Sequence, residues 1–449
     1  MRDTHILVLA AGRGSRMKSN KPKVLHQVAG RSMLAHVLSS GNSLEPSKTQ
    51  VIVGFGADQI QAEFGGDIEY LRQEEQLGTG HAVQCASDYI EDESVVLVLY
   101  GDVPLVQSDT LSVVAEAAAK SGLALLSVEV DEPTGYGRIL RNEYGTVRGI
   151  VEQKDARLEQ LSVKEINTGI LAAKGGLLKD WLSRLSNDNA AGEYYLTDIV
   201  AMAVEDGVNV QAVQPTHLWE VAGANSRQQL AEMERRFQKV QAERLLEEGA
   251  TLVDPERFDL RGNLRIGKDV SIDINCVFEG DVLLGDDVSI GPHCVIRNTT
   301  ISEGVAVKAY SHIDGAIIGP HSQIGPYARL REGTELAEGV KIGNFVETKK
   351  ARFGEGAKAS HLSYLGDAEI GSEANIGAGT ITCNYDGKNK HKTSIGKRAF
   401  VGSNTAIVAP VTLSDDATVA AGSVVTKDVD RDSLAIARAK QRNIENWRK

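Results

Sequence analysis

Apolar positions fall into two regimes along the chain. In the first half, short apolar runs alternate with amphipathic stretches. Ile6–Ala10, Gln50–Val53, Val95–Tyr100 and Leu123–Val130 read as strands, and Met33–Ser39, His81–Tyr89, Leu111–Lys120 and Leu196–Glu205 as helices. The alternation predicts an α/β domain on a parallel-rich, Rossmann-like sheet, with ligands beyond the carboxyl ends of the strands.

In the second half an apolar residue recurs at every sixth position. One run is Ile266, Ile272, Phe278, Leu284, Ile290, Ile296, and another is Ile318, Ile324, Leu330, Leu336, Ile342. The pattern returns at Ile370 and Ile376, and at Ile395, Val401, Ile407, Leu413, Val419, Val425. This period suits neither a helix nor an ordinary strand. It is the hexapeptide pattern of a parallel β-helix, where each side turns a corner and one apolar side chain fills the tube. Three sides close a coil, so residues 18 apart share a face. The register slips between Ile296 and Ile318, between Ile342 and Ile370, and between Ile376 and Ile395. The last slip holds "NYDGKNKHK", a protruding loop with Asn384, Asp386 and Gly387 as turn residues. Between the two regimes lies a charged run of helix formers stopped by Gly249, which predicts a connecting helix with few core contacts. The expected domains are 1–224, a helix over 225–249, and 250–449.

Length agrees with this division, because 449 residues exceed a single core. With 61 acids against 49 bases the net charge is −12, which argues against a nucleic-acid partner. Cys85, Cys276, Cys294 and Cys383 contain no C-x-x-C pair, as suits a reducing cytoplasm rather than a disulfide or zinc framework. No signal-peptide pattern and no membrane-spanning run is visible, so a cytoplasmic enzyme is expected.

Cations matter where they cluster. "LAAGRGSRMKSNKPKVL" places Gly12 and Gly14 after a strand, followed by Arg13, Arg16, Lys18, Lys21 and Lys23. It is neither a Walker A loop nor a dinucleotide fingerprint, since Met17 stands where the third glycine belongs. It is a backbone cradle for a phosphate, or else a solvated basic loop. Asp102 ends the apolar run "VVLVLYGD". A carboxylate there suits Mg²⁺ beside a nucleoside triphosphate, although it could also open the next turn.

The β-helix carries its own candidates. Arg331 and Lys349 lie 18 apart and so stack on adjacent coils. At the strand spacing of ~4.8 Å two cations repel by roughly 3 kcal/mol, which calls for an anion between them unless one side chain turns away. A sugar phosphate is such an anion. His361 falls in a register break near Tyr364, downstream of that pair, with the loop 384–392 able to fold over it. Imidazole is the side chain most suited to proton transfer near neutral pH. Ser403 and Ala421, also 18 apart, would leave a shallow groove beside Gly402 and Gly422, or simply ease packing.

At these residues the chain resembles a known family. "LAAGRGSRM", "KPKVL", "QLGTGHA", "YGDVPL", "GYGRI", "VEQKDA" and "EINTGI" follow in the order seen in sugar-nucleotide pyrophosphorylases. Over nearly its whole length the chain is similar to the bacterial bifunctional N-acetylglucosamine-1-phosphate uridyltransferase/glucosamine-1-phosphate acetyltransferases. The resemblance implies a left-handed β-helix, association as a homotrimer and synthesis of UDP-N-acetylglucosamine for envelope polymers. It implies nucleotide and sugar-nucleotide contacts at Leu9, Ala10, Ala11, Gly12, Arg13, Lys23, Gln73, Gly78, Thr79, Tyr100, Gly101, Asp102, Gly137, Glu152, Asn167 and Asn225. Asp102 and Asn225 would ligate Mg²⁺. Relatives often carry Lys where Arg13 stands, a change from point charge to planar fork. In the second half His361 would be the general base, taking a proton as the amine of glucosamine 1-phosphate attacks acetyl-CoA. Arg331, Lys349, Tyr364 and Asn375 would hold the sugar phosphate, joined by Asn384 and Tyr385 of the loop, which also border acetyl-CoA. Ala378, Ser403, Ala421 and Arg438 would complete the acetyl-CoA site. N-acetylglucosamine 1-phosphate would then react with UTP. The rival expectations are a single-activity nucleotidyltransferase with a regulatory β-helix, and a non-catalytic scaffold. His361 opposes the first, and Asp102 with Lys23 opposes the second.

Overall fold

The computed structural model describes residues 3–448 and divides into two compact units, Met1–Phe237 and Gln238–Lys449. In the first, one sheet runs in the order Gln211–Val213, Leu123–Glu129, Glu165–Lys174, Val95–Tyr100, Thr4–Ala10, Lys48–Val53, Glu69–Arg72. These strands are parallel except Glu165–Lys174, which is antiparallel to both neighbours. Helices cover both faces and build two apolar cores, one around Trp181 and one around Leu34 and Leu111. The four strands read from the sequence are present, Val95–Tyr100 unchanged and the other three with one end moved by one or two residues. The run 81–89 is two short helical pieces, Thr79–Gln84 and Ser87–Tyr89, and the helix placed from Leu196 begins at Asp198. Leu9 lies in register with Tyr100, so the glycine loop and Gly101–Asp102 leave the sheet side by side at its carboxyl edge.

The second unit is a parallel β-helix. One face is a ladder of eleven short strands from Thr251–Leu252 to Leu434–Ala435. The other two faces merge into one fifteen-stranded network, because strands such as Phe258–Ile266 and Cys276–Leu284 run across the corner between them. The register explains the slips. Phe258 pairs with Cys276, an 18-residue coil, whereas Thr300 pairs with Ile317 and Lys358 with Asn375, coils of 17. Asn375 pairs with Phe400 because the loop lengthens that coil to 25. Inward positions continue unbroken through Ile301, Val307 and Ile313, and through Thr348, Phe353, Ala359 and Leu365. The first two slips are therefore one-residue deletions at corners together with small or polar inward residues, and the third is the inserted loop. Cys276 and Cys294 fall on adjacent rungs, each thiol donating to a carbonyl, Gly291 at 3.2 Å and Lys308 at 3.3 Å. Burial pushes both thiols up, to about 12 and about 11.

The connecting helix corrects an expectation. Arg227–Glu247 is helical, but it is not short of core contacts. In the first unit Met233 packs with Val28, Ala29 and Met33, and Leu230 and Phe237 close that cluster. In the second, Ala242 and Leu245 are fully buried in the β-helix core. Gln238 is bound through both amide atoms to the backbone of Leu260, at 2.7 and 2.9 Å. A helix that serves two cores needs only a few apolar residues for each, so its average composition stays charged.

Corners of the β-helix use left-handed backbone. One column of such positions is polar, with Asp269, Asp287, His321, Glu373, Arg398, Asp416 and Asp432. Another is aromatic: His293, Tyr310, Tyr327 and Phe345 stack with ring centroids 4.8, 4.9 and 5.4 Å apart. Tyr310, Tyr327 and Phe345 are about half exposed, at 48, 48 and 55%, and Leu362 occupies the next rung.

Candidate active sites

A cavity of about 430 Å³ opens at the carboxyl edge of the first unit's sheet. Leu9, Ala10, Ala11 and Gly12 line it from the first strand and its loop, with Lys23, Gln73, Gly78, Thr79, Tyr100 and Asp102. Ten of the sixteen nucleotide and sugar-nucleotide residues expected from the sequence thus converge on one space, while Arg13, Gly101, Gly137, Glu152, Asn167 and Asn225 do not line it. Gly14 has φ +64, and a Cβ there would lie 2.5 Å from the Lys23 Cβ, so the glycine lets Lys23 fold in. Arg13 lies instead over the Phe55 ring, 5.3 Å from its centroid. Gly101 donates its N–H to the Leu9 carbonyl at 3.0 Å. The lining also includes Val24, Gln76 and Ala82, which lie inside the motifs KPKVL and QLGTGHA, and Glu193, whose segment carries no motif.

The Lys23 ammonium joins the Asp102 carboxylate and donates to Asn225 Oδ1 at 3.0 Å. Two oxygens from sequence-distant segments therefore converge on one cation. Gly223 and Ala224 pack on Asp102, and the Ala224 N–H donates to the Asp102 carbonyl at 3.2 Å. Nearby, the Asn167 N–H donates to the Gly137 carbonyl at 2.9 Å, and a Cβ on Gly137 would lie 3.3 Å from Glu152 Oε1. The three residues expected at the sugar are thus one cluster. Thr197 donates to Glu152 Oε1 at 2.9 Å, yet burial dominates and raises this carboxyl above the usual range.

In the β-helix, Leu330 pairs with Thr348, so Arg331 and Lys349 do stack on adjacent coils. One anion is already present on this face: Arg331 donates to Glu347 Oε1 at 2.8 Å, and Arg329 approaches the same carboxylate at 3.6 Å. Lys349 remains crowded by cations. Lys390 first and Arg331 next hold its ammonium below the usual lysine range. Lys390 comes from the loop, whose hydrogen bonds run from Asn384 to Asp367 and from His391 to Asp386. The loop thus brings a further cation to the phosphate candidates.

His361 is exposed and lies in register with Asn344, and Nδ1 meets Asn344 Oδ1 at 2.6 Å. Oδ1 can only accept, so in the neutral imidazole the proton sits on Nδ1 and Nε2 keeps the lone pair. Tyr364 lies in register with Glu347 and Ile381, and Asn375 with Lys358 and Phe400. The same register carries Ala378, Ser403 and Ala421 in one column, tied by Asn404 N–H to the Ala378 carbonyl at 2.7 Å and Gly422 N–H to the Ser403 carbonyl at 2.8 Å. Arg438 donates to the Ala421 carbonyl at 2.7 Å, so it stands at the end of that column. Tyr385 is exposed on the loop. Asn344, Glu347 and Lys390 escaped the sequence reading. The first two lie one 17-residue coil below His361 and Tyr364, a signal that a fixed 18-residue period hides.

A phosphate cradle at a sheet edge and a histidine on a hexapeptide β-helix define a nucleotidyltransferase joined to an acyltransferase. The comparisons agree. Residues 6–248 match the model of the MobA-like NTP transferase domain, 260–353 that of the GMPPB C-terminal domain, and 392–427 the hexapeptide repeat of succinyl-transferase. The chain is 56% identical over 448 residues to the Bifunctional protein GlmU of Marinobacter nauticus, covering 100% of this chain and 99% of that protein. It is 55% identical to that of Idiomarina loihiensis, covering 99% and 98%, and 55% identical to that of Cellvibrio japonicus, covering 98% of each. The chain belongs to the GlmU family of bifunctional enzymes, with uridyltransferase and acetyltransferase activity. Among the described residues no helix is long and apolar enough to cross a membrane.

Proposed function

We propose that the β-helix acetylates glucosamine 1-phosphate with acetyl-CoA, and that the first unit then couples N-acetylglucosamine 1-phosphate to UTP. In the first step the sugar amine attacks the thioester carbonyl, His361 Nε2 takes the amine proton, and the CoA thiolate departs and is protonated. Arg331, Lys349 and Lys390 face the phosphate of the acceptor. The column Ala378–Ser403–Ala421, ending at Arg438, offers small residues for the pantetheine arm and a cation for its phosphates.

In the second step a sugar-phosphate oxygen attacks the α-phosphorus of UTP and pyrophosphate leaves. Such transfers depend on positioning and charge neutralisation, so cations and backbone donors suffice and no covalent nucleophile is needed. The observation that carries the reading is the convergence of Asp102 and Asn225 on the Lys23 ammonium beside the glycine cradle. Carboxylate and amide oxygens suit a hard divalent ion, so these two would hold Mg²⁺. When bound it would neutralise charge on the triphosphate.

The aromatic corner, a half-exposed apolar column whose next rung, Leu362, adjoins His361, offers a surface on which copies of the chain can associate, in keeping with the homotrimer that the resemblance implies. Both co-substrates are metabolites of the cytoplasm, where we place the enzyme. The test is Asp102→Ala, assayed for pyrophosphate and free thiol separately. Uridylyl transfer should fall by at least a hundredfold while acetyl transfer is unchanged. Near-normal pyrophosphate release at saturating Mg²⁺ would remove Asp102 from the site.

A further inference from the structure

The floor of the nucleotide cavity holds a side chain whose orientation is fixed by chemistry. Gln73 is only 3% exposed and lines the cavity. Its Nε2 lies 3.0 Å from the Gly78 carbonyl and 3.1 Å from His81 Nδ1. A carbonyl only accepts, so the amide NH₂ must face Gly78 and His81. That nitrogen has two protons, and both are used. Among the described residues the amide oxygen of Gln73 has no hydrogen-bond partner. That oxygen is therefore free to accept a hydrogen bond from a ligand in the cavity.

We propose that His81 is the positioning residue for base selection in uridylyl transfer. It holds the Gln73 amide so that the carbonyl oxygen, and not the NH₂, faces the base. The inference rests on the reading of this cavity as the nucleotide site. An acceptor at that point pairs with a ring N–H, which uracil carries and cytosine lacks. The cytosine ring nitrogen would set two lone pairs against each other. His81 does this as the Nε2–H tautomer, because Nδ1 must accept from Gln73. Its ring centroid lies 6.3 Å from that of Tyr194, and the Tyr194 carbonyl accepts from the Gly80 N–H at 2.8 Å, so Tyr194 holds the segment through both ring and backbone. The Gly78 carbonyl alone leaves the second amide proton unsatisfied. Without His81 the amide can turn to find another partner, and the distinction between acceptor and donor weakens.

The test compares kcat/KM for UTP and CTP in the full-length enzyme and two variants, with N-acetylglucosamine 1-phosphate as acceptor. His81→Phe keeps a ring against Tyr194 but offers no acceptor. His81→Asn can place an amide oxygen where Nδ1 stood. The UTP:CTP ratio should fall about tenfold in His81→Phe and recover to within about threefold of the parent in His81→Asn, the scale of one misdirected hydrogen bond. Acetyl transfer, read as free thiol, should be the same in all three. An unchanged ratio in His81→Phe overturns the inference. If His81→Phe does not fold, His81→Met, which also lacks a good acceptor, is judged by the same ratio. An equal loss of both nucleotides, with the ratio kept, also overturns it, because His81 would then serve only the fold. A parent enzyme that releases no pyrophosphate from UTP would instead sink the assignment of the cavity itself.

Discussion

His361 can act as a base only if an accessible ring nitrogen is unprotonated. Asn344 supplies that condition from the coil below, through a 2.6 Å contact to Nδ1 that leaves Nε2 free. General acid–base catalysis contributes about 10²–10⁴-fold, so His361→Ala should reduce acetyl transfer by that range. Asn344→Ala removes only the tautomer lock, and a loss of about tenfold is expected, the size of one hydrogen bond. Uridylyl transfer should be untouched in both. Assaying free thiol and pyrophosphate on each preparation checks the split. Equal losses in the two variants would make Asn344 a participant in the chemistry and not a support. The same scale revises the cation pair. Arg331 shares Glu347 with Arg329, so that carboxylate offsets only part of the charge, and Lys349 and Lys390 add to the excess.

One element, the loop 384–392, shows how a carboxylate can order a segment. Asp386 accepts from the N–H groups of Asn389 and Lys388, at 2.6 and 2.7 Å, and pairs with His391 Nε2 at 2.7 Å. The Asn389 N–H first, then His391 and the Lys388 N–H, hold its carboxyl far below the usual range. A depressed carboxylate stabilises the fold above its unfolded pKa, near 4, and that contribution fades as pH falls below it toward the folded value. Hydrogen exchange of 384–392 should therefore stay slow from neutral pH down to about 4 and quicken below. Asp386→Ala should show fast exchange throughout, with a raised KM for glucosamine 1-phosphate because Lys390 is no longer held beside Lys349. Slow exchange in that variant would show that the loop is ordered by other contacts. The loop itself was legible in the sequence because Asn384, Asp386 and Gly387 are turn formers that interrupt a period of six. The β-helix was legible for the same reason, one apolar residue per side. The coils of 17 were not, because a corner can lose a residue without moving the inward side chains Ile301 and Phe353. The core role of Arg227–Glu247 was hidden because Met233, Ala242 and Leu245 are too sparse to shift the pattern of a charged helix. Segments that act by tertiary approach alone, such as Glu193 in the nucleotide cavity, carry no local signal at all.

At the scale of the whole molecule the aromatic corner is the feature that neither active site explains. Bulky residues in left-handed backbone cost about 1–2 kcal/mol each, and a corner can avoid this with Gly, Asn or Asp, as the polar corner does at Asp269, Asp287 and Asp416. The corner of His293, Tyr310, Tyr327 and Phe345 keeps large rings there and leaves three of them about half exposed. Stacking offsets part of that cost, but an outward apolar ladder still faces water unless another chain covers it. Phe345 is followed one coil later by Leu362, the neighbour of His361, so whatever packs on the ladder also borders the acetyl site. Assembly and acetyl transfer should accordingly fail together. The double variant Tyr310→Asn with Tyr327→Asn removes the rings while easing the backbone, since Asn tolerates the left-handed region. Its thermal unfolding should stay near that of the parent once protein concentration is allowed for. Sedimentation should show a smaller species at micromolar concentration, with acetyl transfer reduced and uridylyl transfer retained. A variant that keeps the parent's mass and full acetyl transfer would mean that the ladder faces solvent and that the copies associate through another face.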